Sequence, residues 1–162
     1  MHWATTTFSI TPDILPQLHE SFKKTCLALT DEYARAKLTI AISIQSVPPA
    51  APAYNPNSLG FNSSSHPEDD LLNIGVAFQY EDSTATDGLQ EAIKTFTKEL
   101  DQIAEEAGAK DEHIYLNYAG DWQDVFAGYG EDSLAKMRRV AQMYDRSGMF
   151  QKQVRGGFKL SK

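Results

Sequence analysis

Between Leu38 and Gln45 apolar and polar side chains alternate without a break, with Leu38, Ile40, Ile42 and Ile44 set against Thr39, Ala41, Ser43 and Gln45. A repeat of two places these sets on opposite faces of a strand. Two further stretches repeat the pattern. From Trp3 to Ile10, Ala4, Thr6, Phe8 and Ile10 oppose Trp3, Thr5, Thr7 and Ser9, and Leu72, Ile74, Val76, Phe78 and Tyr80 oppose Asn73, Gly75, Ala77 and Gln79. Elsewhere the spacing lengthens to that of a helix. Thr11-Pro12-Asp13 opens one that carries Leu15, Leu18, Phe22, Cys26 and Leu29 and is expected to end before Lys37. Asp87 with Gln90 resembles a capping box ahead of Leu89, Ile93, Phe96, Leu100 and Ile103, and Gly108 closes that helix. A last helix runs from about Asp132 to Gly148 with Leu134, Met137, Val140 and Tyr144 on one side.

The order is strand, helix, strand, long loop, strand, helix, strand, helix. It predicts an α+β fold in a single unit over 1–162, a mainly antiparallel sheet with helices packed on one face. The second face of that sheet carries small polar residues and Trp3, which leaves two readings open: a solvated surface, or the wall of a pocket in which small side chains leave room and amides orient a ligand. The loop SVPPAAPAYNPNSLGFNSSSHPEDD, residues 46–70, is long enough to be functional or disordered.

Composition narrows the classes of function. A net charge of −7 argues against nucleic acid or anionic lipid as the main partner, and no run of eighteen apolar residues predicts a membrane span. Cys26 is the single cysteine, so no intrachain disulfide forms, and its helical position reads as a small buried hydrophobe. His2, His19, His66 and His113 lack metal-ligand spacing and no Gly-rich phosphate loop occurs, so no metal is expected. The start MHWATTTFSITPD lacks a basic, apolar leader, from which a cytoplasmic location is expected. The Asn62-Ser63-Ser64 acceptor pattern then reads as a polar loop.

The densest chemistry lies in HIYLNYAGDWQDVFAGYG, residues 113–130, expected to form a short strand and a turn. Tyr115, Asn117, Tyr118, Trp122 and Gln123 together offer ring surface with hydrogen-bonding groups, a combination suited to a flat heteroaromatic partner. This run, the helix LAKMRRVAQMYDRSGMFQ and the terminal GGFKL resemble the end of fungal FAD-linked oxidoreductases of the berberine-bridge-enzyme type, with the matching C-terminal segment over about 111–160. WATTTF, IQSVP and NPNSLGF resemble landmarks of the same family in the same order.

The resemblance implies a substrate-domain half, whose N-terminal flavin-binding domain is expected to lie outside this chain. It implies FAD as cofactor, not expected to be retained by this chain alone, and a hydroxylated or phenolic metabolite of secondary metabolism as substrate. Tyr118 and Tyr115 would be the catalytic groups, with Tyr118 as base once a neighbour brings its pKa toward working pH. Asn117 and Tyr118 would meet the flavin, and Trp3, Thr5, Gln45 and Gln123 the substrate. The implied partners are the metabolite and either a flavin-domain chain or a second copy across the polar sheet face. A full-length relative could be secreted. Two departures stand out: Ala119-Gly120-Asp121 follows Tyr118 where relatives often carry a proline, and Thr5, Thr6 and Thr7 stand where some oligosaccharide-oxidising relatives carry an acid. Two other readings remain: a cofactor-free cyclase, isomerase or binding protein using the same pocket, and an inactive remnant of a larger protein.

Overall fold

The computed structural model describes residues 1–47 and 71–160. The NPNSLGF motif, Asn62, His66 and most of the long loop fall outside the described residues. Strand β1 spans His2–Ser9, helix α1 Ile14–Glu32, β2 Thr39–Val47, β3 Leu71–Gln79, α2 Thr86–Glu106, β4 Lys110–Asp111, α3 Glu131–Tyr144 and α4 Met149–Lys152. The strands form one sheet in the order β2-β3-β1-β4, every pairing antiparallel, and the fold is α+β as the pattern predicts.

Register follows from the alternation. Ala4 pairs with Val76, Thr6 with Ile74 and Phe8 with Leu72, while Ile40 pairs with Phe78 and Ile42 with Val76. Apolar residues of three strands therefore share one face, and a one-residue slip would turn all of them outward. Helices α1 and α2 cover that face with Ile14, Leu18, Leu89, Ile93, Phe96, Leu100 and Ala104, all buried in one cluster with Phe8, Ile74, Val76 and Phe78. Burying each large aliphatic or aromatic side chain contributes about 1.5–3 kcal/mol, and this cluster supplies most of the driving force. Thr6 is the polar member of the face. It is tolerated because its hydroxyl donates to Asp101 Oδ1 on α2.

Three local expectations need correction. Asp87 does not cap α2: the helix starts one residue earlier, Ala85 stands at its N-cap, and no side chain caps it. A 3-10 turn at Ser83–Ala85 leads into it instead, capped by Asp82 through the Thr84 N–H at 2.9 Å. Asp87 sits in the first turn, where its charge meets the positive end of the helix. The strand expected within residues 113–130 does not form: the two-residue β4 lies ahead of that stretch, and residues 114–129 form turns with a 3-10 turn at Ala127–Tyr129. Cys26 is only partly buried, and that burial pushes its thiol pKa up, away from the reactive thiolate.

Helix α3 differs from the other long helices. None of its residues is buried, and the apolar positions Val140, Met143 and Tyr144 are exposed.

Candidate functional site

On β1 and β3 the second face of the sheet is covered, whereas on β2 its residues Thr39, Ala41, Ser43 and Gln45 are exposed. Thr5, Thr7 and Asn73, neighbours on β1 and β3, are almost fully buried, and one amide ties them together. Asn73 Nδ2 donates to Thr5 Oγ1 at 2.8 Å and to Thr7 Oγ1 at 3.2 Å, while the Thr5 hydroxyl donates to the Ile74 carbonyl at 2.9 Å. Asn73 Oδ1 finds no partner among the described residues.

The turns of residues 113–129 clasp the edge of β1 beyond the short β4. Gln123 makes the clasp. Its Oε1 accepts the Thr5 N–H at 3.1 Å and the Gly120 N–H at 3.0 Å, and its Nε2 donates to the Thr5 carbonyl at 2.7 Å. A side-chain amide thus pairs with both backbone groups of Thr5 as one residue of a neighbouring strand would. On the helix side of this edge Trp122 packs against the core, with Lys94 Nζ 5.5 Å from its ring centroid.

On the opposite side lies Tyr118. Its ring rests on Gly75, where a β-carbon would stand 3.0 Å from Tyr118 Cδ2, so the glycine is what lets the ring approach the sheet. Trp3 stacks beside it at 5.4 Å between centroids and 16° between planes. Tyr115 meets it edge-on at 5.1 Å and 88°. Gln45 Nε2, reaching from the sheet's outer strand β2, donates to the Tyr118 hydroxyl oxygen at 3.1 Å. A tight turn brings the two tyrosines together, with the Tyr118 N–H on the Tyr115 carbonyl at 3.0 Å. Asn117 Nδ2 donates to the Tyr115 hydroxyl at 2.7 Å.

Trp3, Gln45, Tyr115, Asn117 and Tyr118 thus form one partly exposed cluster on the face away from the helices. Thr5 and Gln123 stand beside it as its frame: the Thr5 hydroxyl is buried and engaged, and both polar atoms of the Gln123 side chain are spent on backbone. Trp3, Gly75, Tyr115 and Gln45, which touch Tyr118, are all uncharged. Behind the cluster His113 is buried, its ring stacked on Tyr129 at 5.8 Å and 10°. Burial pulls its pKa down, opposed by the Asp111 carboxylate. Burial pushes the Tyr129 phenol up, aided by Tyr115. Gly128 lets this corner close, because a β-carbon there would lie 2.1 Å from the Glu112 carbonyl oxygen.

Sequence reasoning did not single out Asn73, Gly75 or His113. A glycine and an amide inside an otherwise aliphatic strand were the available signal for the first two, since either marks a place where another part of the chain comes close. His113 carried none.

Among the described residues no group of three or more His, Cys, Asp or Glu could hold a metal ion, and no helix is long and apolar enough to cross a membrane. No protein-family model matches the chain, and no solved structure does. Individual proteins do match, each over part of the chain. It is 42% identical over 95 residues to the FAD-dependent monooxygenase sdcF of Emericella nidulans, a match covering 59% of this chain and 20% of sdcF. Over 63 residues it is 46% identical to the FAD-dependent monooxygenase drtC of Aspergillus calidoustus, covering 39% of this chain and 12% of drtC. The FAD-dependent monooxygenase tpcD of Cochliobolus heterostrophus is 32% identical over 93 residues, with 56% and 17% covered. The chain thus spans about a fifth or less of these relatives, and the likeness is to fungal FAD-dependent oxidoreductases over part of its length.

Proposed function

We propose that this chain forms the substrate-side wall of an FAD-dependent oxidoreductase of berberine-bridge-enzyme type, acting on a hydroxylated or phenolic metabolite, with the flavin held mainly by protein outside these 162 residues. The observation that carries the reading is the Tyr118 cluster. Three aromatic or amide side chains, Trp3 from β1, Gln45 from β2 and Tyr115 from the 115–118 turn, converge on one phenol, and Asn117 holds the Tyr115 hydroxyl beside it, on the face of the sheet that the helices leave free.

The cluster fits one edge of a flat heteroaromatic ring. Tyr115, Asn117 and Tyr118 offer ring edges, an amide and two hydroxyls, the donor set an isoalloxazine edge would meet. Bound FAD would supply the electron transfer. The protein's own part is to place the substrate. Gln45 donates to the Tyr118 oxygen, so the phenol hydrogen is not spent on that bond and stays available to a substrate hydroxyl. As the phenol, Tyr118 holds the substrate hydroxyl by donating to its oxygen; as the phenolate, still accepting from Gln45, it takes up that hydroxyl's proton, while Trp3 packs against the substrate's apolar surface. Thr5 and Gln123, assigned to the substrate from the sequence, serve the site by fixing the edge on which the turn is built.

The test uses the flavin-loaded protein that contains this segment. Tyr118→Phe keeps the ring on Gly75 and removes only the hydroxyl, so turnover of a hydroxylated substrate is expected to fall about a hundredfold to ten-thousandfold with the flavin spectrum unchanged. Unchanged turnover would remove Tyr118 from the chemistry. The isolated chain is expected to leave gel filtration without flavin absorbance, because a ring edge alone gives few anchoring contacts.

A further inference from the structure

A concave site lies outside the aromatic cluster. The end of α3, the Arg146–Gly148 turn, α4 and Leu160 enclose an open groove of about 710 Å³, within the size range of small-molecule sites. Its shape is fixed by directed bonds. Gln151 Oε1 accepts the Leu160 N–H at 2.8 Å and Lys159 Nζ donates to the Phe150 carbonyl at 3.0 Å, which pins the chain's last described residues over α4.

The groove's charge is one-sided. Arg138, Arg146 and Lys152 line it, and Asp145 is its one acid. That carboxylate is already committed: Oδ1 accepts the Met149 N–H at 2.7 Å and Oδ2 the Phe150 N–H at 3.0 Å. None of the three cations makes an ion pair among the described residues. The sequence around them is segregated in the same sense. Residues 136–160 hold seven of the 15 Lys and Arg but only one of the 22 Asp and Glu, within a chain of net charge −7. Three cations against one carboxylate leave this concave wall with a net positive charge, which a ligand carrying at least two negative charges would neutralise. Arginine favours phosphate, whose oxygens match its planar fork. Inorganic phosphate would fill little of the volume, and Ala141 and Leu160 give the remainder an apolar side.

We infer that this groove is a binding site for a small molecule bearing a phosphate or diphosphate group. The ligand's anion sits between Arg138, Arg146 and Lys152, and its organic part lies along Ala141 and Leu160.

Calorimetric titration of the full chain with inorganic pyrophosphate and with ADP tests this, at low and at physiological salt. Saturable one-to-one binding is expected, tighter for ADP and weakened by salt. The double variant R138Q/R146Q is expected to weaken it at least tenfold, and R155Q, outside the groove, less than twofold. Circular dichroism of each variant confirms folding, and the single variant K152Q gives an independent reading should the double variant unfold. Flotation with phosphatidylcholine vesicles, with and without phosphatidic acid, separates the two sources of phosphate. Binding to soluble ADP identifies a free metabolite, whereas binding to phosphatidic acid vesicles alone, with the same arginine dependence, identifies a lipid headgroup. Absence of saturable binding to any of these probes, or equal losses in R138Q/R146Q and R155Q, would overturn the inference.

Discussion

Over β1 and β3 the two faces of the sheet are buried by opposite means. On one, aliphatic side chains of β1, β2 and β3 meet the apolar stripes of two long helices, and the contact is extensive and non-directional. On the other, polar residues of β1 and β3 are buried under chain with almost no regular structure, held by a few directed contacts: the Gln123 clasp, the Asn73 tie and the seat of Tyr118 on Gly75. Hydrophobic burial sets how stable the domain is, and the directed contacts set where the tyrosines point. A substitution on the first face should therefore cost stability, and one on the second should first cost geometry.

The largest effect is expected from Phe78→Ala. Phe78 is fully buried beneath the helices, and truncation removes its transfer energy and leaves a cavity, for a loss of about 3–5 kcal/mol in a urea melt. A loss below about 1 kcal/mol would break the comparison, since the apolar face would then not be the principal source of stability.

Next comes the clasp. Gln123→Leu keeps the side chain's bulk but strands the Thr5 N–H and carbonyl and the Gly120 N–H. About 1–3 kcal/mol should be lost, together with the order of the 113–125 turns, measurable by amide hydrogen exchange. Protection at Gly120 and Thr5 equal to that of the unsubstituted protein would show that the edge is held by something else.

How much of this was legible beforehand follows from the same contrast. Alternation from Leu38 to Gln45 and from Leu72 to Tyr80 is a property of neighbouring residues, so the strands, their inward faces and the helices that cover them could be read from the chain. The cluster was legible only as a density of rings and amides. That Gln45 meets Tyr118 across a sequence separation of 73 depends on where an irregular turn lands on the sheet. The same density gave a misleading element type, because Tyr115 and Tyr118 have the rings of a strand but are joined by a turn. Asn73 and Gly75 were visible as the polar side of a strand, and only the fold shows that side to be covered. The capping box failed for a related reason: Asp82, five residues ahead of Asp87, had already turned the chain into a 3-10 lead-in.

A smaller energetic effect with a larger geometric one is expected at Gly75. Gly75→Ala places a methyl group 3.0 Å from Tyr118 Cδ2, and because the neighbour is the edge of a ring, the ring can tilt away. Stability should change by no more than about 1 kcal/mol, toward the low end of overpacking costs. The stacking of Trp3 on Tyr118 should be disturbed, which near-ultraviolet circular dichroism reads directly. An unaltered aromatic spectrum would show that Tyr118 does not rest on Gly75 in solution.

The smallest effect is a pH dependence confined to the corner beneath the cluster. Burial holds the His113 pKa below its ordinary value, with the Asp111 carboxylate opposing but not cancelling that shift. The neutral ring is thus the form that the folded corner accepts. As pH falls through the ordinary histidine range, about 6.5, the unfolded chain takes up a proton that the folded chain still refuses, and stability declines. The decline continues until pH reaches the lowered folded value, below which both states are protonated and this contribution levels off; above about pH 7.5 it is absent. Melting temperature should accordingly drop between pH 7.5 and 5 with a component that His113→Gln removes and His19→Gln, on the exposed face of α1, does not. If His113→Gln left the pH profile of melting unchanged, the ring would be titrating as freely as a surface histidine. The turns on the polar face would then be open to water, and the contrast between the two faces would reduce to a difference in side-chain composition.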